Sequence, residues 1–142
     1  MKTSLVVTLC VVCCMAPLAQ AADDQDEIEK LIVEAYVQGV YVNRDEDAVR
    51  RGFHPDFVLH VYDDGNIFQE SLQQWLERLQ LDGVRSTHST DYEIEFVDIT
   101  GNSAVAKLEV FQDTRHLYTD YFGFYRFENG WRFVNKIFFG HQ

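Results

Sequence analysis

From Ser86 to the C-terminus the chain alternates apolar and polar residues almost without relief, breaking only at turn-forming clusters. Thr90, Tyr92, Ile94 and Phe96 alternate with Asp91, Glu93 and Glu95, the period of a strand with one buried face. Thr100-Gly101-Asn102-Ser103, Gln112-Asp113 and Asn129-Gly130 then separate Ala104 to Phe111, Arg115 to Glu128 and Trp131 to Phe139. Asn-Gly readily adopts the two left-handed conformations of a tight hairpin turn. Strands joined this closely pair antiparallel, so this half of the chain is a meander.

The preceding segment is helical. Asp24-x-x-Glu27 has the spacing of a capping box. Ile28, Leu31, Ile32, Ala35, Tyr36, Gly39 and Val40 follow as one apolar stripe. Asn43-x-x-Glu46 opens a second, shorter helix that Gly52 can close. Ser71-x-x-Gln74 opens a third, with Leu72, Trp75, Leu76 and Leu79 on one face. Between these two, Phe57 to Tyr62 reads as a strand, Asp63-Asp64-Gly65-Asn66 as a turn and Ile67-Phe68 as a short return. The expected fold is therefore α+β: a cone-shaped, curved antiparallel sheet wrapped around an N-terminal helix, with two further short helices. The open end of such a cone is the expected ligand site.

Residues 1–21 read as a secretory signal rather than as part of the fold. Lys2 supplies the positive start, Leu5 to Met15 is an apolar run, and Ala19-Gln20-Ala21 is a small-x-small cleavage pattern. The apolar run is short for a membrane span, which needs about 20 residues. Residues 22–142 would then form one domain, periplasmic or secreted and detached from the membrane. Cys10, Cys13 and Cys14 all lie in the leader, so the exported domain must stand on its apolar core without disulfides. The formal net charge is −11, and every acidic residue lies beyond the leader. That balance opposes nucleic acid as a partner.

Three segments resemble one family in order and spacing. They are Gly52-Phe53-His54-Pro55-Asp56-Phe57, Thr119-Asp120-Tyr121, and Asn129-Gly130-Trp131-Arg132-Phe133-Val134-Asn135-Lys136. Together they are similar to the nuclear transport factor 2-like superfamily, in its SnoaL-like, "putative lumazine-binding" group. The resemblance implies a cone-like α+β fold, often a homodimer, with a pocket between sheet and helices. The superfamily holds isomerases, dehydratases, cyclases and hydrolases beside binding and assembly domains, so fold alone does not carry function.

Candidate site residues follow from the last hairpin. With Asn129-Gly130 as its two-residue turn, Glu128 faces Trp131, Phe124 faces Asn135 and Phe122 faces Ile137. Residues opposite one another share a face. One face then carries Asp120, Phe122, Phe124, Phe133, Asn135 and Ile137, and it is expected inside. The other carries Tyr121, Gly123, Tyr125, Val134, Lys136 and Phe138, and suits a dimer contact. A carboxylate among phenylalanines makes Asp120 a candidate proton carrier. His88, which shares parity with Thr90, Tyr92 and Ile94, and His60 are the other acid–base candidates. Tyr36, Trp75, Tyr92, Phe122, Phe124 and Asn135 would line the ligand site. Each also has a structural reading, as a core or backbone-bonding residue. The His54-Pro55-Asp56 corner reads as structural.

The sequence carries no HExxH, CxxC pair, P-loop or GxSxG after the leader, so no metal site, cofactor or acyl-enzyme chemistry is expected. Two functions stay open. One is a small-molecule pocket, binding an apolar ligand with a carbonyl or hydroxyl, or isomerising or dehydrating it without a cofactor. The other is a dimeric interaction module whose cone is filled by its own aromatic side chains, leaving Tyr121, Tyr125, Val134 and Phe138 as an exposed apolar patch.

Overall fold

The computed structural model describes residues 16–141. Lys2 and the apolar run to Met15 of the expected leader lie outside them. The first helix, α1 (Ala16–Leu31), continues without a break into a π-helical stretch, Ile32–Val42. α2 (Glu46–Gly52) leads directly into β1 (Phe53–Asp63) and β2 (Asn66–Ser71), and α3 (Leu72–Leu79) follows. The meander is β3 (Thr90–Thr100), β4 (Ser103–Gln112), β5 (Arg115–Phe127) and β6 (Gly130–Gly140). The sheet order is β2-β1-β6-β5-β4-β3, curved and not closed. β1 and β6 pair parallel while all other neighbours pair antiparallel, so the sheet is mixed rather than purely antiparallel. The parallel pair arises because the chain returns to β1's free edge only after four intervening strands.

The apolar stripe of the first helix packs as its spacing requires. Ile28, Ile32, Ala35, Tyr36 and Val40 are buried against Phe53, Phe122, Phe124, Trp131 and Phe133 of the concave face. The π-helical stretch was not legible in the pattern and has a geometric consequence. On an α-helix, residues five apart point roughly 140° away from each other. The wider i-to-i+5 turn brings Tyr36 and Tyr41 together, with their hydroxyls 3.0 Å apart.

Two helix starts differ from expectation. Helix continues upstream of Asp24, which therefore does not cap it. Asp24 is instead buried and accepts from Trp131 Nε1 at 3.2 Å and from Arg126, while Glu27 accepts from the Trp131 backbone N–H at 3.1 Å. The pair staples the first helix to the last hairpin. The α2 cap is Asp45, bonded to the Ala48 N–H, rather than Asn43. The Ser71–Gln74 capping box of α3 forms in both directions. Gly52 ends α2 where a Cβ would come within 2.2 Å of Ala35 Cβ, so close helix approach is what excludes a side chain there.

Four register shifts interrupt the ladders, and those in β6, β3 and β1 decide which residues of the cone face inward. In β6, Phe124 pairs with Phe133 but Gly123 pairs with Asn135, so one extra residue interrupts the ladder. Every β6 residue beyond it changes face. The turn is also centred one residue earlier than expected, so that Phe127 pairs with Gly130 rather than Arg132, a shift of two that leaves the faces unchanged. In β3 a shift between Ile94 and Phe96 turns Phe96 outward and leaves it 45% exposed. In β1 the ladder to β6 is interrupted between Phe53 and Val58, around Pro55, which has no N–H to give. His54 Nδ1 accepts the Asp56 N–H there and its ring stacks on Phe127, consistent with a structural corner.

Candidate functional site

Asp120 lies where the hairpin argument put it, on the concave face of β5 and fully buried. Its partner was not anticipated. The β6 bulge sends Lys136 inward, opposite Phe122, and its ammonium stands 2.7 Å from Asp120 Oδ1. Among the described residues this ion pair is the polar contact that Oδ1 has. Asp120 Oδ2 accepts from the Tyr36 hydroxyl at 2.6 Å. Tyr36 has one proton and two lone pairs. With its one hydrogen donated in the bond to Asp120, the hydroxyl accepts from Lys136 Nζ and from the Tyr41 hydroxyl. These four residues form one continuous chain of donors and acceptors.

Their surroundings are apolar. Lys136 Nζ lies 4.6 Å from the Tyr36 ring centroid and between 5.2 and 5.9 Å from those of Phe138, Tyr118, Phe122 and Trp75. Rings at that range attract a cation through their quadrupoles. Burial nonetheless disfavours the ammonium and pulls the Lys136 pKa below that of an ordinary lysine, against the pull of Asp120. Burial, with the Asp120 charge beside them, pushes the Tyr36 and Tyr41 hydroxyls well above the usual phenol range. At neutral pH both tyrosines are therefore donors.

A cavity of about 110 Å³ adjoins this chain, lined by Tyr36, Tyr41, Trp75, Arg78, Tyr118 and Lys136 among others. A water occupies about 30 Å³ of liquid, so the cavity suits a few waters or a molecule of a few heavy atoms. Asp120 does not line it, whereas Lys136 and Tyr41 do. With the Tyr36 and Tyr41 protons committed within the chain, Lys136 is the donor this wall offers a ligand, set against apolar neighbours, which favours a carbonyl or carboxylate oxygen. Arg78 stands at the same wall, paired with Glu70 at 2.8 Å.

The expected site residues divide into two groups. Asp120, Tyr36 and Trp75 meet at the inner end of the cone, and Phe122 packs edge-on against Tyr36. Phe124 lies a layer behind, against Phe133. The rest stand elsewhere. Asn135 is beyond the β6 bulge and faces outward beside Gly123. His60 lines a groove on the outer face of the sheet. His88 lies before β3 begins, exposed and bonded to Asp113. Tyr92 pairs with buried Val110 yet is 41% exposed and does not line the cavity. Asp120, His60 and His88 thus face three separate places, which removes a joint acid–base role for them. Lys136, placed outside by the unbulged register, is the residue the sequence reading missed.

The outer face is apolar in its own right. A groove of about 760 Å³ runs over it, lined by His60, Tyr62, Ile67, Tyr121, Ile137 and Phe139 among others. Tyr121 and Tyr125 are exposed there as expected, but Phe138 turns inward and Ile137 and Phe139, 54% and 62% exposed, take its place.

A family model described as "Putative lumazine-binding" matches residues 23–139, and the chain belongs to that family. No curated protein matches it. Among solved structures it is similar to a nuclear transport factor 2-like protein of unknown function from Shewanella baltica, with 20% identity and a TM-score of 0.70. That match covers 87% of this chain and 96% of the other. A second such protein, from Silicibacter pomeroyi, shares 20% identity at a TM-score of 0.69, covering 89% and 100%. A third, from Methylobacillus flagellatus, shares 18% at 0.66, covering 93% and 98%. At these identities the likenesses establish the nuclear transport factor 2-like fold.

Proposed function

We propose that the protein is an exported small-molecule pocket protein whose ligand seats against Lys136 at the inner end of the cone. One observation carries this reading: a buried, partly desolvated lysine, held by Asp120 and Tyr36, forms part of the wall of a cavity. A charged group in an apolar core costs several kcal/mol to desolvate, so apolar residues would serve a purely structural role as well or better. The family description suggests a heterocyclic ligand. The cavity volume favours something more compact, since sites for drug-sized molecules span about 300–1,000 Å³. We assign the ligand to short-chain carbonyl or carboxylate compounds. Turnover, where it occurs, would be cofactor-free proton transfer through Lys136, with Asp120 as the positioning residue. Export rests on the leader: Lys2, the apolar run and Ala19-Gln20-Ala21.

The test is thermal-shift and isothermal titration of a panel of carbonyl and carboxylate compounds of about two to six heavy atoms. The Lys136→Met/Asp120→Asn double variant serves as comparator, because it removes both charges together. Saturable binding to the wild type that the double variant loses supports the reading. Binding retained by the double variant, or no compound bound, refutes it.

A second reading has its own observation, the exposed apolar outer face. We propose that this face pairs with a second copy of the chain. The two readings use opposite faces of one sheet and are compatible.

A further inference from the structure

A cluster of metal-binding residue types lies outside the cone, on three adjacent strands. Glu109 comes from β4, His116 from the start of β5, and His141 directly follows β6. Thr119 pairs with Glu109 across β4 and β5, and the ladder irregularity after Val110 sets His116 opposite Phe111. The His141 backbone N–H donates to the Leu117 carbonyl at 2.8 Å, which ties the chain end to β5. One ligating atom from each of Glu109, His116 and His141 lies within 4.8 Å of the other two.

The atoms are already linked through hydrogen bonds. Glu109 Oε2 lies 2.6 Å from His116 Nε2 and accepts from Thr119 Oγ1 at 2.5 Å, and Thr119 Oγ1 lies 2.9 Å from His141 Nε2. The two imidazoles stack 3.5 Å apart at 21°, framed by Phe111 and Phe139. Glu109 is 7% exposed, so this carboxylate is not a freely solvated surface group. Its other oxygen takes Lys107 Nζ at 3.0 Å, and Lys107 is shared with Glu95 at 2.8 Å. Two carboxylates against one ammonium leave the neighbourhood with one net negative charge.

We propose that Glu109, His116 and His141 bind one divalent transition-metal ion of the zinc type. Two imidazoles and a carboxylate, with water or the Thr119 hydroxyl in the fourth position, are a set that Zn²⁺ accepts. The ion takes the place of the protons that link the cluster in its absence, each ring then carrying its proton on Nδ1. Thr119 keeps the carboxylate oriented, as hydrogen-bonded supports around metal ligands do. This site shares no residue with the Lys136 cavity, so either can fail without the other.

The test uses chelator-treated protein, with Zn²⁺ measured by isothermal titration and Co²⁺ by its visible absorption. The expected result is one Zn²⁺ per chain and a cobalt spectrum of low coordination number. His116→Ala and His141→Ala should each weaken binding at least about tenfold, while His88→Ala, on a different surface, leaves it unchanged. Circular dichroism establishes that each variant is folded. Absence of stoichiometric Zn²⁺ binding overturns the proposal. So does equal loss in the His88→Ala control, or full binding by folded His116→Ala and His141→Ala variants.

Discussion

Lys136 and Asp120 are coupled tightly enough that neither can be changed alone without consequence. Removing one partner of a buried pair leaves an uncompensated charge, which costs about 3–5 kcal/mol. Lys136→Met should therefore lower the unfolding free energy by roughly that amount in urea titrations. Lys136→Met/Asp120→Asn should recover most of the loss, and a double variant no more stable than the single one would show that the pair is not coupled. The pH dependence has a definite sign. Burial lowers the Lys136 pKa in the folded state, whereas an unfolded lysine holds its proton to about pH 10.4. Between those two values the unfolded chain binds more protons, so stability rises with pH there. Tyr36 and Tyr41 reverse the trend above about pH 10, where the unfolded chain releases phenolic protons that the folded one keeps. Urea midpoints from neutral pH to about 11 should rise relative to the double variant, which lacks Lys136, and should turn over in both proteins once the phenols titrate. A monotonic fall would contradict the assignment. Asp120 was legible as a buried carboxylate because it alternates with Phe122 and Phe124 on one strand. Lys136 was not, because its parity depends on a bulge that no residue between Phe133 and Asn135 announces.

Elements were easier to read than the joints between them. All three helices, the three hairpins of the meander and the β1–β2 return were legible from periodicity and turn chemistry, since those signals are local. The parallel β1–β6 pair, the register shifts in β6, β3 and β1 and the π-helical widening were not, because each is set by packing between distant segments. Asp24 and Glu27 show the same limit. Their spacing fits a cap, yet they bond the hairpin around Trp131, more than a hundred residues away. Asp24→Ala leaves the buried Trp131 indole N–H without its acceptor, and should cost about 1–3 kcal/mol by chemical denaturation. An unchanged midpoint would mean that this staple adds nothing. Gly52→Ala drives a methyl to 2.2 Å from Ala35 Cβ and should cost about 1–3 kcal/mol or more. A neutral effect would imply that α2 can move off the first helix freely.

At the scale of the whole molecule the sheet offers two working faces. Aromatic side chains fill most of the concave one and leave the small cavity at Lys136. The convex one exposes Tyr62, Ile67, Ile137 and Phe139, each more than half exposed. Single exposed hydrophobic residues are ordinary, but a continuous apolar groove is the mark of a contact surface. Ile137→Asp and Tyr125→Asp should each convert a dimer to a monomer in sedimentation velocity, without loss of helix and strand signal. A monomeric wild type at tens of micromolar would contradict pairing through this face. Among the described residues no helix is long and apolar enough to cross a membrane.

On the function proposed above, the chain of Tyr41, Tyr36, Lys136 and Asp120 holds a compact ligand. Native followed by denaturing mass spectrometry tests it most directly, on wild type and Lys136→Met/Asp120→Asn protein released without harsh extraction. The expected result is a small carbonyl or carboxylate compound bound to the wild type and missing from the double variant. A folded wild type with no added mass, or the same added mass on both proteins, would contradict it.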